Sequence, residues 1–170
     1  MINDFQRSSR ESQSPVVIAI IVLSILGFLA NGWAGASRGG DSLSFFAPML
    51  MGEPWRMITY PFAGTSGVLG IIFGGLWMFQ VGGIIERDTG SSRFGIGVIV
   101  YTLLCAGLLL LGSMLMRSGG FLTGLWPLLS AVTVAWGTRY PDSMTLFMFV
   151  IPIKAKWLAW ISAALVFFGA

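Results

Sequence analysis

The chain has 170 residues, 55% of them hydrophobic and 10% charged, with a formal charge of +3 and no histidine. That composition, with a mean hydropathy of +0.82, excludes a soluble domain of this length, which needs far more charge to cover its surface, and fits a polytopic membrane protein. The missing histidine excludes any Ser–His or Cys–His catalytic pair built within these residues and removes the commonest haem, chlorophyll-type and zinc ligand, so no cofactor is expected.

The ten basic residues are scattered between apolar spans. Topology therefore explains them better than a phosphate footprint, and no nucleic-acid partner is expected. The single cysteine, Cys105, has nothing to pair with inside the chain and reads as a small buried hydrophobe in mid-span.

Taken in order, residues 1–14 form a polar tail carrying Asp4, Arg7, Arg10 and Glu11, without an apolar core of its own. The membrane domain is residues 15–170. Its first helix runs from Pro15 to about Ala36, too long for the apolar part of a secretory signal, and reads as retained. Ser37 to Pro54 is a polar connection holding a short apolar patch, SLSFFAPMLM, which lies flat in the interface or re-enters.

The stretch from Glu53 to Phe94 organises the chain. Trp55 and Arg56 suit the membrane interface, where Trp anchors and Arg snorkels. The second span runs from about Phe62 to Ile85 and carries Gly67, Gly70 and Gly74, which fall within about 60° of one another on a helix. Small residues on one face admit a neighbouring helix, backbone to backbone. Packing is the plainer account of these glycines, set against a direct functional role. A charged turn, ERDTGSSR, follows. It is read as solvated and pinned by its own charges, with a partner-facing cluster of Glu86, Arg87, Asp88 and Arg93 as the alternative.

The third span covers about Phe94 to Met116. The fourth, Phe121 to Gly137, is expected to kink or open at Pro127. Thr138 to Lys156 has an apolar middle bounded by two prolines and reads as an extended or interfacial segment. The last span begins at Trp157 and by Ala170 has risen only about 21 Å, short of a hydrocarbon core of about 30 Å. It is thus expected to be incomplete, with a sixth helix possible beyond it. Trp126, Trp136, Trp157 and Trp160 read as interface anchors. The basic residues split seven to three when the amino terminus is cytoplasmic: Arg7, Arg10, Arg87, Arg93, Arg139, Lys154 and Lys156 inside, Arg38, Arg56 and Arg117 outside. The expectation is an all-α polytopic bundle with five visible spans, in the cell's inner membrane.

Three motifs then carry a resemblance. Trp55-Arg56-x-x-Thr59-x-x-Phe62, Glu86-x-x-x-Gly90-Ser91-x-Arg93-Phe94 and Phe149-x-x-Pro152-Ile153-Lys154-Ala155-Lys156-Trp157 together resemble the rhomboid family of intramembrane serine proteases and its inactive relatives. The resemblance implies a six-helix core, a serine at the start of the fourth helix in Gly-x-Ser-Gly, and a histidine base on the sixth. Here the matching stretch is Phe121-Leu122-Thr123-Gly124, with Thr123 at the nucleophile position and only the second glycine kept. The family often places a His and an Asn four residues apart in the second helix to hold the oxyanion. Gly70 and Gly74 stand there instead, and losing such donors costs orders of magnitude in rate. Threonine nucleophiles need a positioned amine or imidazole. Lys154 and Lys156 are expected at the opposite face, so the plainer account of Thr123 is a threonine bonding to backbone near a helix start.

These readings imply a proteolytically inactive rhomboid-like protein that binds transmembrane segments of partner proteins in the lipid bilayer. Trp55, Arg56, Gly70, Gly74, Glu86, Gly90 and Gly124 are its structural or partner-facing residues. The alternatives are an accessory subunit of a larger membrane complex and an active intramembrane protease.

Overall fold

The computed structural model describes residues 14–38, 43–47, 52–63, 67–116, 119–147 and 151–167. The polar tail before Ser14, the Pro48–Met51 half of the apolar patch, Phe149 and the last three residues lie outside that description. The fold is all-α apart from two short strand pairs.

Helix α1, Pro15–Arg38, opens the domain. Strand β1, Phe45–Phe46, precedes the short helix α2, Arg56–Thr59, which tightens into a 3-10 turn at Tyr60–Phe62. Helix α3, Gly67–Thr89, is continuous but widens into a π turn at Met78–Gly82. Helix α4 is Ser91–Met116. Strand β2, Phe121–Leu122, leads into α5, Trp126–Arg139. The hairpin of β3, Met144–Phe147, and β4, Ile151–Lys154, connects to α6, Ala155–Phe167. Within the Thr138–Lys156 connection, Met144–Phe147 and Ile151–Lys154 are thus extended, while Thr138 and Arg139 belong to α5 and Ala155 and Lys156 to α6.

Two expectations are corrected. Pro127 does not interrupt a span: it occupies the first turn of α5, where its missing N–H would have no helical partner anyway. Phe121 and Leu122 are strand, so this helix starts at Trp126 and not at Phe121. Likewise α3 starts at Gly67, after the Tyr60–Phe62 turn, and not at Phe62.

The long helices alternate in direction, giving the bundle two ends. At one end, Val16 and Val17 of α1 donate their N–H groups to Glu86 at the foot of α3. Asp88 there receives Arg139 and Tyr140 from the end of α5. At the other end, β1 pairs with β2. The core between them joins Val17 and Ile20 of α1 with Met78, Val81 and Ile85 of α3, and with Leu128, Leu129, Val132 and Trp136 of α5. Trp136 is buried, so it is a core residue, not an interface anchor. Trp126, Trp157 and Trp160 are exposed. A smaller cluster around Phe45, Tyr60 and Ala106 fills the β1–β2 end.

The outer faces of α3 and α4 are apolar and uncovered, with Leu69 at 70% and Leu108 at 67% exposure. Both helices are long and apolar enough to cross a membrane. Side chains of this kind facing outward are what a lipid solvent requires.

Candidate functional site

Thr123 lies just ahead of α5, and its surroundings are built by backbone pairing. Phe45 faces Leu122 and Phe46 faces Phe121 across the β1–β2 pair, while Ala47 N–H donates to the Gly120 carbonyl at 2.9 Å. Gly124 then turns the chain at φ +77°, a left-handed conformation that favours glycine. Its N–H donates to the Tyr60 carbonyl at 2.9 Å. This turn and its hydrogen bond account for a glycine at position 124.

The Thr123 hydroxyl lies 2.6 Å from the hydroxyl of Ser44, a residue that is 1% exposed. Arg56 donates to the Ser44 carbonyl at 3.0 Å and also pairs with Glu53. Thr59 donates to the Leu43 carbonyl at 3.3 Å. The Trp55-Arg56 motif therefore acts inward through Arg56, holding the 43–47 segment against Thr123, while Trp55 itself is exposed. Thr123 is bonded to a side chain and does not cap α5, whose N-cap residue is Leu125 with no side-chain cap bond.

No amine of this chain's described residues reaches that hydroxyl. Lys154 and Lys156 stand at the far end of α5, about 20 Å along a 14-residue helix. Tyr60, the phenol at this end, is pushed above its ordinary pKa chiefly by burial, with Cys105 adding to the shift. It stays protonated, and its hydroxyl donates to the Thr102 carbonyl.

Gly70 and Gly74 do face α5, but not backbone to backbone. A Cβ on Gly74 would meet Leu129 Cδ1 at 3.2 Å and Leu125 Cδ2 at 3.6 Å. Gly70 lines a small cavity of about 20 Å³ with Ile21, Ser24, Pro61, Ile71, Gly75 and Leu125, a space of roughly one water and mainly apolar walls. Gly67 contributes nothing to this face, since a Cβ there would meet open space. The close backbone approaches lie elsewhere. A Cβ on Gly27 of α1 would run into the Phe62 carbonyl oxygen, and one on Gly137 of α5 would sit 2.6 Å from that of Ala155.

Glu86 is the buried exception in a turn whose Arg87, Asp88, Gly90, Ser92 and Arg93 are exposed. It is 1% exposed and accepts hydrogen bonds from Val16 N at 3.0 Å, Val17 N at 2.8 Å and Ser91 Oγ at 2.7 Å. A carboxylate at the start of α1 satisfies otherwise orphaned N–H groups and sits favourably in the helix dipole. Gly90 makes this possible, ending α3 at φ +87° and starting α4 one residue later. Cys105 is half-buried and packs as a small apolar group against the cluster of Phe45, Tyr60 and Ala106.

The family described as "Eukaryotic integral membrane protein (DUF1751)" matches residues 15–170. The chain belongs to this family. It is a rhomboid-like integral membrane protein, and relatives bear this out. The "Rhomboid protease GlpG" of Enterobacter sp. (strain 638) is 31% identical over 144 residues, covering 82% of this chain and 50% of that protein. The protein of the same name from Salmonella choleraesuis is 30% identical over 101 residues, covering 59% of this chain and 36% of that one. The chain thus spans half or less of these relatives' length. No solved structure matches it.

Sequence reasoning missed Ser44, Gly27 and Asn31 of this rhomboid-like frame. Asn31 donates to the Ala63 carbonyl at 2.6 Å and holds the turn ahead of α3. A lone amide in an apolar helix was its available signal. Ser44 and Gly27 carried none, because their partners are remote in sequence.

Proposed function

We propose that this rhomboid-like protein binds transmembrane segments of partner proteins without cutting them. The observation that carries the reading is the engagement of Thr123 with Ser44, held by Arg56, at a distance from any amine among the described residues. A hydroxyl needs a positioned base to attack a peptide carbonyl. The second support is the apolar packing of Leu125 and Leu129 against Gly74, which puts hydrocarbon where the family resemblance expects oxyanion donors. The activity in the relatives' name is theirs and is not transferred.

Binding would use the uncovered face of α3, where Leu69, Ile72, Phe73 and Leu76 are exposed. In the proposed orientation the amino terminus, the Gly90 turn and the β3–β4 hairpin are cytoplasmic, following the bias of basic residues. The test places a photocrosslinking residue at Leu69 or Phe73 in native membranes and exposes the same membranes to a fluorophosphonate. Adducts with intact transmembrane proteins and no probe labelling are expected. Labelling that vanishes in Thr123→Val, or cleaved partners in the adducts, would restore the protease.

A further inference from the structure

Five cationic side chains stand at the Glu86 end of the bundle: Arg87, Arg93, Arg139, Lys154 and Lys156. Local structure accounts for some of them. Arg87 and Arg139 lie in the last turns of α3 and α5, where the helix dipole favours a cation. Arg139 also pairs with Asp88 at 3.2 Å. Lys154 lies 3.8 Å from Asp142.

Arg93 and Lys156 have no such account. Each is exposed and sits in the first turn of its helix, α4 or α6, and neither first turn contains an acidic residue. A cation there opposes the dipole. Among the described residues the carboxylates of this end are already engaged: Glu86 by α1 and Ser91, Asp88 by Arg139 and Tyr140, Asp142 by Lys154. Beside Lys156, Trp157 and Trp160 are 59% and 74% exposed, the aromatic type that settles at headgroup level. At the opposite end Arg56 is paired with Glu53.

We infer that this end binds the anionic headgroups of the leaflet it faces, with Arg93 and Lys156 on the phosphates and Trp157 and Trp160 fixing depth. The inference rests on the chain's membrane residence and not on whether it cleaves partners. It is tested with the full chain in nanodiscs of mixed phosphatidylcholine and phosphatidylserine, counting the lipids retained on release by native mass spectrometry. Wild type should retain phosphatidylserine above its bulk share. Arg93→Gln with Lys156→Gln should weaken that preference about fivefold for each charge removed. Arg139→Gln removes one charge from the same end but from a paired site, and should retain the preference. The double variant should keep the wild-type melting temperature, since among the described residues neither side chain has a partner to lose. Inorganic phosphate at millimolar concentration should not displace the lipid. No enrichment in wild type, an equal loss in Arg139→Gln, or displacement by phosphate would each overturn the assignment, the last by identifying a soluble anion as the ligand.

Discussion

Glu86 shows how one buried carboxylate serves three donors on two neighbouring helices. Glu86→Ala leaves those donors without their acceptor and should cost about 3 kcal/mol, the expected range for unsatisfied buried donors. Glu86→Gln keeps one acceptor oxygen but turns an amide N–H toward a donor, so it should fall between Ala and wild type. Thermal unfolding in detergent gives the order. Two glycines make a second comparison. Gly27→Ala places a methyl against a backbone carbonyl that cannot move cheaply, and should cost about 3 kcal/mol, the upper part of the overpacking range. Gly74→Ala meets only the ends of leucine side chains and should cost less than about 1 kcal/mol. Equal losses of stability in the two variants would contradict the packing described.

Whole elements obey the same distinction between what is local and what is remote. Pro127 in the first turn of α5 lacks no helical hydrogen bond. Pro127→Ala should therefore change stability by less than about 1 kcal/mol, and not give the gain of about 3 kcal/mol expected on repairing a helix interior. Its carbonyl, which accepts from Tyr101, survives the change. Helix α6 depends on Gly137, where a Cβ would lie 2.5 Å from Ala159 Cβ. Gly137→Leu should push α6 off α5 and expose the connecting hairpin. Faster limited proteolysis between Pro141 and Lys154 would register the separation, and an unchanged digestion rate would rule it out. Helix existence was legible from the length of the apolar runs. Helix starts were less so, because β1–β2 pairing between distant segments decided where α5 begins.

Across the whole molecule, the amino-terminal end of α1 and the Gly90 turn share one end through Glu86, while Ser44, Trp55 and Thr123 share the other. Cysteines introduced at Ser92 and Lys156 should react with an impermeant thiol reagent from one side of the membrane, and one at Trp55 only from the other. Labelling of all three from the same side would dismantle the arrangement. Composition alone determined that this chain belongs in lipid, because a surface this poor in charge is stable only there. The three motifs determined its rhomboid-like kinship, and local rules placed Gly90 and the approach to the last helix. Tertiary structure alone decided what the conspicuous residues do. Glu86 became a buried cap, Arg56 a clasp on Ser44, and Thr123 a partner of Ser44. The physical reason is that hydrogen bonds and close backbone approaches join residues tens of positions apart, and periodicity along the chain carries no record of them.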